Sequence, residues 1–370
     1  MKNVLAFVCW CIVMNKEVVF GDTVENEAKV KLLSVLFRHG DRTPDPSIGG
    51  TYPNDPYQNY TYFPVGLGGL TNKGKMRVFK LGQALRLKYD EFLGDLYYPD
   101  VLEGRSTDYD RTKMALQMVL NGLFPPAPIQ QWKDGVDWQP IPTVYFHEEE
   151  DWVLRSDLCP KYIVESNRYL NSAEFRERLA EHKNLTEFLE KVTGESSMNA
   201  DDLFVLHSTL ITQLQMGLDI PEWATELLSN GRLEDAASLR LEAFKGNDEL
   251  KRLWGGMLLR KITDDFLSYR NGSLPDGRKI FLYSAHDLNV AGLLSTLGVY
   301  DSRFPQYSSA VIIELLEYEN DYFVKVIYYL GIPPKFIVMQ IPGCTQLCPL
   351  DKFLYQLENV IATDEDIKCN

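Results

Sequence analysis

Val30-Lys31-Leu32-Leu33-Ser34-Val35-Leu36-Phe37 runs directly into Arg38-His39-Gly40-Asp41-Arg42-Thr43-Pro44. The first eight residues are rich in apolar and β-branched side chains, which predicts a buried strand. The next seven abandon hydrophobicity and set two arginines around a histidine. Each guanidinium is a fork of donors that can hold a phosphate through paired hydrogen bonds. A histidine between two such forks is a candidate nucleophile toward phosphorus, and Gly40 lets the backbone turn tightly around the anion. An isolated Arg-His-Gly triplet reads equally well as a solvated turn. Seven residues of this kind at the end of a buried strand point to an anion site instead.

Two later stretches repeat the pattern. Residues 279–283 predict a buried strand that runs out into Ser284-Ala285-His286-Asp287, followed by a helix over 288–297. A short strand near Val101 leads into Gly104-Arg105-Ser106-Thr107-Asp108-Tyr109-Asp110-Arg111-Thr112 and a helix over 111–123. Asp108 or Asp110 would cap that helix and place Arg111 in its first turn, where free N–H groups and the helix dipole favour anions. Open α/β sheets bind ligands beyond the carboxyl ends of their strands. The three stretches can therefore converge, although roughly 250 residues separate Arg38 from His286.

Between these landmarks, residues 45–70 form a Pro-, Gly- and Asn-rich excursion leaving from the site. A helix starting near Thr71 or Asn72 carries Val78, Leu81, Leu85, Tyr89 and Phe92 on one face. Residues 161–270 read as helical throughout, and the last helix is long, with Leu250, Leu253, Trp254, Met257 and Leu258 at helical spacing. His182 and His207 lie in this helical region without acidic or cysteine neighbours and read as structural. The run His147-Glu148-Glu149-Glu150-Asp151 reads as solvated charge, not metal ligands. Strands over 309–317 and 322–329 form a hairpin, with a further strand over 336–340. The order predicts an α/β fold: an open, mostly parallel sheet with helices on both faces and an inserted, smaller all-helical domain. The expected division is α/β over 22–150, helical over 151–255 and α/β again over 256–370.

The chain has 370 residues, 45% of them hydrophobic, and a formal net charge of −14. That field repels nucleic acid and anionic membranes, so neither is an expected partner, while an anionic substrate needs only a local cationic pocket. Residues 1–21 resemble a signal peptide, with Lys2 before a short apolar run and Val19-Phe20-Gly21 at its end. Its removal takes away Lys2, Lys16 and Glu17, a net charge of +1, and leaves −15. It also leaves Cys159, Cys344, Cys348 and Cys369, an even number that predicts disulfides in an exported chain. Cys344 and Cys348 are close enough to close a tight loop, which leaves Cys159 for Cys369. A zinc site is the rival reading, but no second Cys or His cluster accompanies the pair. Sequons at Asn59, Asn184 and Asn271 agree with secretion of a soluble protein.

Pooled, Arg38, Arg42, Arg111 and His286 would hold a phosphate, His39 would attack it, and Asp287 would protonate the departing alcohol. No metal or other cofactor is needed. The motifs from Arg38 to Pro44, from Arg105 to Thr112 and from Ser284 to Asp287 resemble those of the histidine acid phosphatases, the prostatic and lysosomal type with its insect venom and salivary relatives. The likeness runs from about residue 29 to 369 and takes in Leu123-Phe124-Pro125-Pro126, residues 138–142 and Pro342-Gly343-Cys344. It implies the same roles for these residues, a broad-specificity secreted acid phosphatase acting on small phosphate monoesters, and the same two disulfides. A third bridge found in some members has no cysteines here, and the lysosomal members' C-terminal span is missing. Prostatic-type members are dimers, so a homodimer is a further expectation, with no interface residue read from this chain. An acidic optimum follows if Asp287 must be protonated, since a carboxyl has a reference pKa of ~3.9. A non-catalytic secreted binder of small mediators on the same fold is the alternative.

Overall fold

The computed structural model describes residues 27–48 and 50–369, and the expected signal peptide lies outside them. β1 (Lys29–Arg38) sits in the middle of an eight-stranded sheet because both of its faces are apolar. Leu33, Val35 and Phe37 pack on one side and Leu32 and Leu36 on the other, which is why the strand reads as a continuous apolar run. The remaining strands are β2 (Leu102–Ser106), β3 (Val144–Tyr145), β4 (Ile280–Ala285), β5 (Ala310–Tyr318), β6 (Asp321–Tyr329), β7 (Phe336–Met339) and β8 (Leu347–Pro349). The sheet order is β3-β2-β4-β1-β5-β6-β7, with β8 also paired to β6. β3, β2, β4 and β1 run parallel, and β5, β6, β7 and β8 are each antiparallel to the strand they pair with.

Register positions the site. Arg38 lies opposite Ala285, and Ser106 lies opposite Ser284. β1, β4 and β2 therefore end level with one another, and the three loops noted in the sequence leave from one edge of the sheet. β3 and β8 are too short for hydrophobic periodicity to reveal and were not expected.

α1 (Asn72–Leu93) and α2 (Asp110–Leu123) cover the sheet face carrying Leu33, Val35 and Phe37. Thr71 caps α1 by accepting from the Gly74 N–H at 3.0 Å. The cap expected on α2 differs: the residue at its N-cap is Tyr109, and Asp108 instead takes Lys113 at 2.5 Å. Arg111 lies in the first turn as expected.

The other face is covered by α10 (Gly255–Arg270), α11 (Asp287–Thr296) and α12 (Leu350–Gln356), and α3 (Pro160–Leu170), α4 (Ala173–Glu181), α5 (Lys183–Thr193), α6 (Ala200–Gln215), α7 (Glu222–Ser229), α8 (Arg232–Glu242) and α9 (Asp248–Leu253) build on these, with α8 and α9 packed against α11. Among the described residues no strand interrupts the stretch from α3 to α10. One apolar cluster joins Leu189, Leu203, Leu210 and Leu241 from that stretch to Leu32, Phe281 and Ile313 of the sheet.

The single long helix expected around Trp254 is two. Its backbone leaves the helical region at Trp254, with φ −106° and ψ −93°. The indole lies against Gly292 and donates to the Leu288 carbonyl at 3.0 Å, so packing on α11, together with the poor helix formers Gly255 and Gly256 that follow, breaks the helix there. Both expected disulfides, Cys159–Cys369 and Cys344–Cys348, are formed, and Asn59, Asn184 and Asn271 are all exposed. Among the described residues no helix is long and apolar enough to cross a membrane.

Candidate active site

His39 follows the last residue of β1. Its backbone N–H bonds to the Ala285 carbonyl at 3.1 Å and its carbonyl accepts from Ser308 at 3.2 Å, so β4 and the chain before β5 grip it from both sides. The imidazole Nδ1 lies 2.7 Å from the Gly40 carbonyl oxygen. A carbonyl only accepts, so Nδ1 carries the ring proton and Nε2 keeps a lone pair. Arg111 Nε points a hydrogen at Nε2 from 3.3 Å. Burial, then the charges of Arg111, the neighbouring His286, Arg38 and Arg42, holds His39 well below the ordinary histidine value. The ring therefore stays neutral into acid.

Three arginines surround it. Arg38 donates to the Pro305 carbonyl at 2.6 Å, pairs with Asp287 at 2.8 Å and lies 3.9 Å above the Tyr307 ring. Arg42 donates to the Thr43 carbonyl and to Ser208 Oγ, both at 2.9 Å. Among the described residues no carboxylate pairs with it within 4.0 Å, although Asp45 feels its charge. Arg111 pairs with Asp45 at 2.8 Å and rests on the Tyr109 ring at 4.4 Å. Burial, reinforced by Arg42 and opposed by Asp45, brings Arg111 down to about 10. Burial pushes the Asp45 carboxyl up, but Arg111 and Ser47 outweigh this and hold it below its usual range.

His286 and Asp287 open α11 where β4 ends. Asp287 Oδ1 accepts from the Leu288 N–H at 2.9 Å, and its other oxygen takes Arg38. Thr112 Oγ1 donates to the carbonyls of Thr107 and Tyr109, so it accepts from Thr107 Oγ1 at 2.8 Å. Thr107 in turn accepts from His286 Nε2 at 3.0 Å. This relay holds the His286 ring edge-on to His39, with centroids 5.5 Å apart. Burial, then Arg111, Arg155, Arg42 and Arg38, keeps His286 well below its ordinary value.

The structure thus brings together all six residues expected at the site, and both histidines turn their ring hydrogens toward protein, His39 toward the Gly40 carbonyl and His286 toward Thr107. His39, Arg42, Tyr109, Arg111, Arg155, His286 and Asp287 share one cavity. Asp287 also lines a second cavity, with Arg38, His207 and Tyr307. Sequence reasoning missed Asp45, Tyr109, Arg155, Ser208 and Tyr307, for which spacing gives no signal. It read His207 as structural, whereas that ring forms part of the site's wall. His182 occupies the N-cap position of α5 without a side-chain capping bond and lines neither cavity. Glu148 of the acidic run pairs with Arg155 at 2.5 Å.

The pattern of the histidine phosphatase superfamily (branch 2) matches residues 29–329. The chain is 40% identical over 344 residues to venom acid phosphatase Acph-1 of Apis mellifera, covering 93% of this chain and 88% of that protein. It is 34% identical over 346 residues to prostatic acid phosphatase of Bos taurus, covering 92% and 88%. Its fold is similar to the crystal structure of the Klebsiella sp. ASR1 phytase, with a TM-score of 0.68 at 14% identity over 92% of this chain and 98% of that one. On a match spanning most of its length, this chain belongs to the histidine phosphatase superfamily, branch 2.

Proposed function

We propose that the chain is a secreted acid phosphatase that hydrolyses phosphate monoesters through a phosphohistidine at His39. The observation that carries this reading is the Nδ1–H bond from His39 to Gly40, which leaves Nε2 as a lone pair inside a ring of guanidinium groups. A phosphate seated on Arg38, Arg42 and Arg111 would have its equatorial oxygens neutralised. Nε2 then forms a bond to phosphorus as the ester P–O bond breaks, and the leaving oxygen takes a proton from Asp287. Water attacks the phosphohistidine, gives its proton to the Asp287 carboxylate, and releases inorganic phosphate with His39 restored.

Charge supports an acidic working range. His39 is held well below the ordinary histidine value, so acid does not protonate the nucleophile. The disulfides Cys159–Cys369 and Cys344–Cys348 support an oxidising, extracellular destination. The relatives' names, venom and prostatic acid phosphatase, support small phosphate monoesters as substrates. A homodimer rests on the resemblance alone.

The test is hydrolysis of p-nitrophenyl phosphate from about pH 4 to about pH 8 with EDTA present. Turnover strongest on the acid side, abolished in His39→Ala, is the expected result. No turnover in folded, disulfide-intact protein would overturn the reading.

A further inference from the structure

Tyr109 stands at the N-cap of α2, two residues before Arg111, and lines the cavity that holds His39. Its ring meets two groups of the site. The Arg111 guanidinium lies 4.4 Å from the ring centroid, and the His286 ring meets it at 82° with centroids 5.0 Å apart. Burial and the charge of Arg42 both work against the Arg111 cation. An aromatic face stabilises a desolvated cation without accepting any of its N–H hydrogens. Asp45 already meets this guanidinium at 2.8 Å. A second carboxylate in place of the ring would cancel the charge that a phosphate needs, whereas the ring leaves it.

The ring is itself held. Its hydroxyl accepts from Arg155 Nη1 at 3.2 Å and donates to Glu148 Oε2 at 3.4 Å. Arg155 gives Nε and Nη2 to Asp157, each at 2.9 Å, and Nη1 to Glu148 at 2.5 Å. Two carboxylates therefore neutralise Arg155, which anchors the tyrosine instead of adding charge for a substrate. This anchor lies between β3 and α3, and the Arg105–Asp151 pair at 2.5 Å ties the same stretch to β2. The place of the ring is thus set by a second segment of chain as well as by α2.

We propose that Tyr109 is a positioning residue for phosphate capture: its ring seats the Arg111 guanidinium and the His286 ring around the anion, and Arg155 with Glu148 fixes the ring. This rests on the phosphate-binding role proposed above for Arg111. Because Tyr109 acts through Arg111, its loss should show in affinity for the anion and should depend on Arg111 being present.

The test measures turnover of p-nitrophenyl phosphate and its inhibition by inorganic phosphate in wild type, Tyr109→Phe, Tyr109→Leu and Tyr109→Met. Losing the ring should raise the phosphate Ki about fivefold to thirtyfold in Tyr109→Leu and Tyr109→Met, the scale of a buried cation–ring contact. Tyr109→Phe, which keeps the ring, should recover most of it. In an Arg111→Ala background, Tyr109→Leu should change Ki by less than about twofold, the non-additivity of residues acting as one unit. An unchanged Ki in the ringless variants, equal losses in Tyr109→Phe and Tyr109→Leu, or full additivity with Arg111→Ala overturns the proposal while wild-type turnover stands. Failure of both ringless variants to fold would make Tyr109 a structural residue and overturn it too. Absence of any wild-type turnover overturns the phosphatase reading itself, and this one with it.

Discussion

At His39 one hydrogen bond decides which nitrogen keeps its lone pair. The Gly40 carbonyl accepts the Nδ1 hydrogen bond, and burial with the cations around Nε2 holds the ring well below the ordinary histidine value. Asp45 does quieter work by fixing Arg111 through a buried pair at 2.8 Å. If Asp287 is the acid, Asp287→Asn should slow alkyl phosphates far more than p-nitrophenyl phosphate, whose leaving group needs little proton help. We expect a differential of about tenfold to a thousandfold, the scale of general acid catalysis. Equal losses on both substrates would contradict that role. The six residues of the expected site were legible because each lies in a short polar stretch that interrupts an apolar strand or opens a helix. Asp45, Ser208 and His207 were not, because their meaning depends on distant parts of the chain: Arg42 meets Ser208 across 166 residues.

The elements of the site depend on two backbones touching. A Cβ on Gly40 would stand 2.2 Å from the Gly74 carbonyl oxygen, and one on Gly74 would stand 2.1 Å from that of Asp41. Gly40 is thus required by the close approach of α1 to the loop after β1. Gly40→Ala must push α1 and the loop apart, so it should cost about 1–3 kcal/mol of stability and displace His39. A denaturant midpoint and kcat measured together check this; normal values for both would show that the contact is dispensable. Long apolar strands such as β1 were readable from sequence, as was α1 from its spacing. β3 and β8, with two and three residues, carry too few positions for a pattern. The break between α9 and α10 had a local signal in Gly255-Gly256, which the apolar spacing on either side masked, and the Trp254 indole seated on Gly292 completes it.

Across the whole molecule, a net charge of −14 surrounds a pocket built from arginines. Such a field does little to attract anions from afar, so affinity rests on contacts inside the cavity. We propose that residues 151–255 form a helical insertion between the two α/β segments, one that shares the sheet's apolar cluster and so would not fold in isolation. A cooperative thermal transition of that fragment alone would contradict this. Cys159–Cys369 ties α3 to the far C-terminal region across 210 residues, whereas Cys344–Cys348 spans only 4. Loop entropy therefore predicts that Cys159→Ser with Cys369→Ser costs roughly 2–5 kcal/mol, and that removing the short bridge costs less. Thermal midpoints of the two variants check the order, and the reverse order would refute it.

The central claim is a covalent bond between phosphorus and His39. The direct measurement is rapid quenching of the enzyme with a labelled phosphate monoester, followed by peptide mapping of the trapped phosphoryl group. The account predicts an acid-labile, base-stable label on the peptide containing His39, absent in His39→Ala. Turnover with no trapped label, or a label that persists in His39→Ala, would contradict it.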